Sequence, residues 1–267
     1  MKRVCIVILT LVMLVAALAG CTSGKADWEY VSDKKELVIG ITLFEPMNYK
    51  ENGTLTGFET EFAKAVCEKL GVEPKFVEID WNSKETELDS KAIDCIWNGM
   101  TITDERKENM DISIPYMENK QVMIVNKANA DKYLTADALK DAKVVAEAKS
   151  AGELVATKDE FFKDAKYTAI ESQLKSLLEV KAGTADICLI DYVMATASVG
   201  EGTDYADLTY VTKKSFSPEE YGVAVRKDSP EFLKKLNDAI QEVANDGTLL
   251  EIAKKYDLEE LLLVKAK

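Results

Sequence analysis

Between Ile93 and Arg106 the chain changes character sharply, and that change limits the folds open to it. Cys95-Ile96-Trp97 is a short apolar run with β-branched and aromatic residues, the composition of a strand buried in a parallel sheet. Asn98-Gly99 ends the run. Thr101, Thr103 and Asp104 then bring side-chain oxygens that cap or turn a backbone, and Asp104-Glu105-Arg106 opens a helix with acids in its first turn. A weaker echo follows downstream. Ala185-Asp186-Ile187-Cys188-Leu189-Ile190-Asp191 again runs from an aspartate through an apolar strand to a polar end. Two such units predict an α/β chain whose halves face each other. In open α/β sheets ligands bind beyond the carboxyl ends of strands.

Composition narrows the chemistry. The 267 residues suffice for one large domain or two smaller ones. Net charge is −13, and removing Lys2 and Arg3, the two charged residues among the first twenty, takes it to −15. Such an acidic chain is a poor partner for nucleic acid and carries no polybasic patch for anionic lipid. There is no histidine. The commonest general base and metal ligand are therefore missing, which argues against an enzyme and against a metal or other cofactor. Of five cysteines, Cys67, Cys95 and Cys188 sit among apolar residues with no Cys-X-X-Cys spacing, which predicts buried hydrophobes. A Cys95–Cys188 or Cys67–Cys95 pair stays open at this stage.

Read in order, residues 1–20 carry a basic start and an apolar run from Val4 to Leu18, as in a secretory signal. Residues 21–35 read as a polar tether. Leu37–Ile41 is a strand followed by a loop through Phe44, Glu45, Pro46 and Asn48. Asn52-Gly53 marks a hairpin. Phe58, Phe62, Val66 and Leu70 follow helical spacing, closed by Gly71. Lys75–Ile79 alternates as a strand and ends at Asp80-Trp81-Asn82. Gln121–Val125 is an apolar strand placed to cross into a second unit, with Asn119–Gln121 as a hinge. Ser150 is set to cap a helix, leaving free N–H groups that attract an anion. Leu174, Leu177 and Leu178 predict another helix. Phe232–Val243 reads as a long amphipathic helix before a last one at Leu249–Tyr256.

Gly99-Met100-Thr101-Ile102-Thr103-Asp104-Glu105-Arg106 resembles the Gly-X-Thr-X-Thr-X-X-Arg signature of the family-3 extracellular solute-binding proteins, the amino-acid receptors of bacterial ABC importers. Gly57–Ala65, Asp111–Tyr116, Glu219–Val225 and the ending from Asp246-Gly247-Thr248 are similar to further segments of that family, so the resemblance covers almost the whole chain after the leader. Leu18-Ala19-Gly20-Cys21 resembles a lipobox.

The resemblance implies a two-lobed periplasmic-binding-protein type 2 fold of α/β class, each lobe a mostly parallel sheet flanked by helices, joined by a two-strand hinge. Lobe 1 would comprise 36–120 and 217–267, lobe 2 residues 121–216. Arg106, with Thr101 and the N–H groups of Ser150, Ala151 and Gly152, would hold the carboxylate of an amino acid. Asp191 and the Gly99 carbonyl would hold its ammonium. Trp81, Phe44 and Asn98 would wall the pocket, which leans toward polar ligands. The early aspartate of the family's first loop is missing here, where Ile41-Thr42-Leu43 stands, leaving Glu45 or Asn48 as substitutes. Cys21 would be lipidated, anchoring a monomer outside the cell membrane, where it would deliver its amino acid to permease subunits. The alternatives are a dehydratase acting on cyclic acids on the same fold, or a sensory module for a separate receptor.

Overall fold

The computed structural model describes residues 26–214 and 216–267. The expected signal segment, Cys21 and the first part of the tether lie outside these residues.

The tether expectation fails from Asp27 onward. Helix α1 (Asp27–Lys34) carries acids in its first turn, buries Val31 completely and packs Trp28 at a tilt against Phe232, 5.9 Å between ring centroids. Its polar composition hid an apolar face at Trp28 and Val31, one helical turn apart. Strand β1 (Glu36–Ile41) is followed by the hairpin β2 (Tyr49–Glu51) and β3 (Thr54–Thr56), turned at Asn52 and Gly53, both with positive φ. Helix α2 (Phe58–Leu70) buries Phe58, Phe62 and Val66 and ends at a left-handed Gly71, each large side chain contributing roughly 1.5–3 kcal/mol by leaving water. Then come β4 (Glu73–Glu78), the short α3 (Lys84–Asp89), β5 (Cys95–Ile96), α4 (Asp104–Asn109) and β6 (Met110–Ile112).

The long strand β7 (Met117–Asn126) leaves this unit. Beyond it lie β8 (Lys143–Glu147), α5 (Ala151–Lys158), β9 (Lys166–Ile170), α6 (Gln173–Lys181), β10 (Ile187–Asp191), α7 (Tyr192–Ser198) and β11 (Leu208–Tyr210). Strand β12 (Pro218–Tyr221) runs back and β13 (Ala224–Arg226) rejoins the first sheet, followed by α8 (Pro230–Asn245) and α9 (Thr248–Lys255).

The first sheet has order β4-β1-β5-β13-β6 and the second β11-β7-β10-β8-β9, with β12 paired to the first half of β7. Each contains a three-stranded parallel part, β4-β1-β5 and β10-β8-β9. Antiparallel strands enter where the chain crosses: β13 beside β5, and β7 beside β10. The crossing strands β7 and β12 form an antiparallel ribbon from Met117–Tyr221 to Lys120–Pro218. That ribbon is the two-strand hinge between the sheets.

One buried ionic knot ties α1 to the first sheet. Arg226 donates through Nε to Asp27 at 2.6 Å and through Nη1 to the carbonyls of Leu88 and Ile93. Asp94, fully buried, takes Lys34 Nζ at 2.5 Å, the Val38 N–H at 2.8 Å and lies 3.4 Å from Arg226 Nη2. Cys67, Cys95 and Cys188 are buried and unpaired, Cys95 in the first sheet and Cys188 in the second.

Removing one member of a buried ion pair strands the other, at a cost of about 3–5 kcal/mol. Arg226→Ala is therefore expected to lower the melting temperature by on the order of 6–20 °C, at roughly 2–4 °C per kcal/mol for a chain of this size. A shift under about 2 °C in differential scanning calorimetry contradicts the role given to this knot.

Candidate functional site

Three strand ends and three helix starts converge in the cleft. Strand β5 ends at Ile96, and Trp97-Asn98-Gly99 lead out of it. Gly99 sits at φ 53°, donates its N–H to Glu59 at 2.8 Å, and has Phe44 so close that an added Cβ would stand 2.6 Å from that ring. Only glycine fits such a position. Its fixed backbone carries the chain into Thr101 and then to Thr103, whose hydroxyl caps α4 by accepting the Arg106 N–H at 3.2 Å. Arg106 thus starts a helix while its side chain, 6% exposed, turns back into the cleft. Nη1 donates to the Thr101 carbonyl at 2.6 Å and Nη2 to the Lys149 carbonyl at 3.1 Å. A guanidinium has five N–H donors, so three remain.

The second sheet answers from the opposite side. Ser150 caps α5 by accepting the Glu153 N–H at 3.2 Å, which puts the Ala151 and Gly152 N–H groups in a first turn with no internal acceptors. Strand β10 ends at Asp191. Its carboxylate accepts from Asn119 at 2.5 Å and Gln121 at 2.8 Å, both on β7, and from Gln173 at the start of α6. Gln173 also accepts the Asp191 N–H at 2.9 Å. Burial pushes the Asp191 carboxyl above the usual range, and these amide donors hold it back.

Between the two groups lies a cavity of about 10 Å³, lined by Trp81, Asn98, Gly99, Thr101, Arg106, Glu147, Ser150, Ala151, Gln173 and Asp191. Room for one water is about what such a volume offers, so the cleft is closed and a larger guest requires the sheets to separate. Eight residues singled out in the sequence meet here. The other two contribute from behind. Phe44 packs under Gly99, and Gly152 backs onto the Leu189 carbonyl and the Gln121 amide. A wider groove of about 640 Å³ opens nearby along Ile102, Leu154, Val155 and Pro218, but neither Arg106 nor Asp191 lines it.

Neither substitute proposed for the first loop reaches this cavity. Glu45 is exposed. Asn48 is fully buried and spends its amide on Glu59, the Trp97 carbonyl and Asn98. Asn98 in turn accepts from the Thr42 N–H at 2.9 Å and donates to the Thr42 hydroxyl at 2.7 Å.

Four polar residues of the site were not read from the sequence. Glu147 ends β8 and Gln173 begins α6. Lys84, 1% exposed, donates to the carbonyls of Trp81 and Lys149 and stands 4.7 Å over the Trp81 ring. Glu219, on β12, accepts from Thr101, Asn119 and Gln121 at 3.3, 3.1 and 3.0 Å. The only sequence signal for Gln173 is Ser172, whose capping hydroxyl puts the next residue at a helix start. A charged residue at the end of an apolar strand marks Glu147 only weakly.

Burial raises three acids strongly: Glu59 and Glu219 to about 7, and Glu147 to about 8. For Glu147 and Glu219 the nearby Asp191 adds to the push. A carboxyl whose folded value exceeds its unfolded one binds more protons when folded, so its contribution to stability falls as pH rises between the two values. The ligand-free protein is therefore expected to lose melting temperature steadily from pH 5 to pH 8, as followed by calorimetry. A melting temperature that climbs across that window contradicts the protonation of these acids.

The model of bacterial extracellular solute-binding proteins, family 3, matches residues 37–259. The L-cystine-binding protein TcyJ of Escherichia coli K12 is 34% identical, covering 92% of each chain. The arginine-binding extracellular protein ArtP of Bacillus subtilis is 32% identical over 92% of this chain and 96% of its own. Among solved structures, an ABC uptake transporter substrate-binding protein from Streptococcus pneumoniae with bound histidine superposes with a TM-score of 0.79 at 30% identity, over 90% of this chain and 99% of that one. These relatives are binding proteins rather than enzymes, and this chain belongs to the bacterial extracellular solute-binding proteins, family 3.

Proposed function

We propose that this protein captures an α-amino acid between its two lobes, outside the cytoplasmic membrane, and presents it to the permease of an ABC importer. Residues 36–120 with 217–267 form one lobe and 121–216 the other. Lipid on Cys21 anchors the monomer to the cell membrane. The single observation carrying this reading is that Arg106, from the first sheet, and Asp191, from the second, line one closed cavity. The named relatives, receptors for cystine, arginine and histidine, support the same ligand class.

An α-amino acid presents a carboxylate and an ammonium on one carbon. Arg106 matches the carboxylate because its planar fork bonds both oxygens at once and never loses its proton. The Thr101 hydroxyl and the N–H groups at Ser150, Ala151 and Gly152 complete that end, where the helix start favours negative charge. Asp191 takes the ammonium with the acceptor capacity its three amides leave free, and the Gly99 carbonyl takes another proton. Trp81 covers the α-carbon and keeps water out, with Asn98 and Phe44 behind. The ligand touches both lobes only when they are together, so it stabilises the closed form by differential contact. The β7–β12 ribbon lets closure proceed by changing few dihedrals.

In isothermal titration, Arg106→Ala is expected to weaken the best amino-acid ligand by more than about a hundredfold, since two charge-assisted bonds of roughly 1.5–3 kcal/mol each are lost, with an unaltered far-UV spectrum. Unchanged affinity removes Arg106 from the site. Asp191→Asn is expected to weaken α-amino acids at least about tenfold while changing deaminated analogues by less than about threefold. Equal losses for both contradict an ammonium role.

A further inference from the structure

The cavity holds one acid more than a carboxylate–ammonium grip uses. Glu147 is the last residue of β8, 5% exposed, and lines the cavity beside Asp191. The register pairs Ala146 with Leu189, so Glu147 stands at the carboxyl end of the strand next to the one carrying Asp191. Among the described residues no side chain or N–H group donates a hydrogen bond to the Glu147 carboxylate, although its neighbours are rich in donors. The two cations nearest the cavity are engaged elsewhere. Arg106 bonds the Thr101 and Lys149 carbonyls, and Lys84 bonds those of Trp81 and Lys149. Buried carboxylates are normally paired, because leaving one unpaired in low dielectric is expensive. A buried, unpaired acid facing a ligand cavity marks where a donor from the ligand belongs.

Resting on the α-amino-acid reading above, we infer that Glu147 is the specificity residue of this site and selects ligands whose side chain ends in a positively charged nitrogen. Arginine, lysine, ornithine and cystine, whose far end carries a second ammonium, share that chemistry. Neutral side chains lack it. The α-ammonium has its acceptors in Asp191 and the Gly99 carbonyl, which leaves Glu147 for the far end. The first loop contributes no acid here, since Glu45 is exposed and Asn48 is spent inside the first lobe.

The ligand-free state tolerates the acid by keeping it protonated. Burial first, then Asp191 and Asp80, push the Glu147 carboxyl up to about 8, against the pull of Lys84 and Arg106. A bound cation takes the place of that proton. Binding of a cationic ligand then grows tighter as pH rises toward 8, and the pH dependence of arginine affinity relative to its neutral isostere belongs to Glu147.

The test is calorimetric titration of the wild type and Glu147→Gln with two isosteric pairs, arginine against citrulline and lysine against Nε-acetyllysine, plus cystine and glutamine. The wild type is expected to favour a cationic member over its neutral partner, or cystine over glutamine, by at least about tenfold, the size of one charge-assisted hydrogen bond. Glu147→Gln is expected to erase that preference while changing the neutral partner by less than about threefold. Its ligand-free melting temperature should equal or exceed that of the wild type, because a buried acid is removed. A wild type that favours neutral ligands overturns the inference, as does a variant that keeps the cationic preference. A variant that weakens neutral and cationic ligands alike assigns Glu147 to the α-ammonium and overturns it too. In each of those cases amino acids still bind, so the α-amino-acid reading stands. Only a wild type that binds none of the ligands removes both.

Discussion

Everything in the cleft follows from one electrostatic demand: a guanidinium and several carboxyl groups are held where water scarcely reaches. Arg106, Asp191 and Glu147 are each 5–6% exposed. Charges in such a place require partners. Within the protein the demand is met in a makeshift way, by backbone carbonyls for Arg106, by three amides for Asp191 and by a retained proton for Glu147. A zwitterion meets it better, because it supplies an anion and a cation at fixed separation. The site is therefore a closed structure with uncommitted charge, and the free energy of pairing that charge is what a ligand contributes to closure.

The hinge shares the same wiring. Asn119 and Gln121 lie on the crossing strand β7 and divide their donors between Asp191 and Glu219 on the returning strand β12. Thr101 reaches Glu219 as well. The crossing strand β7 is thus bonded directly to Asp191, and the returning strand β12 is tied to it through the same two amides. On the opposite edge, Lys84 and Arg106 from the first unit meet at the Lys149 carbonyl of the second, while Lys149 Nζ reaches the Asn82 carbonyl at 2.9 Å. Opening the cleft breaks these contacts, and a ligand that replaces them sets the balance between open and closed forms.

Much of this was readable from the chain because local rules and the global arrangement agree. Thr103 before Asp104-Glu105-Arg106, Ser150 before Ala151 and Gly71 after Leu70 are caps whose chemistry is local, and each ends or starts a helix as read. The strand ends at Gly99 and Asp191 were marked by a polar break after an apolar run. What escaped reading depends on distant packing. Helix α1 looked like a tether because its ionic partner, Arg226, lies about two hundred positions away. Lys84 and Glu219 resemble solvated charges in sequence, and only distant packing buries Lys84 and brings the half-buried Glu219 to Thr101, Asn119 and Gln121. Glu147 is invisible for the same reason. An acid at a strand end is ordinary until a second sheet closes over it.

The most direct measurement is thermal unfolding of the chain from Thr22 onward against the twenty amino acids, cystine and ornithine. A ligand present at a hundred times its dissociation constant adds roughly 2.7 kcal/mol to stability. At about 2–4 °C per kcal/mol for a chain of this size, the melting temperature should rise by on the order of 5–10 °C. The account predicts that one or a few α-amino acids produce such shifts while the rest leave the transition where it was. A panel with no shift at all, on protein shown to carry no co-purified ligand, contradicts the claim that this cleft is built for an α-amino acid.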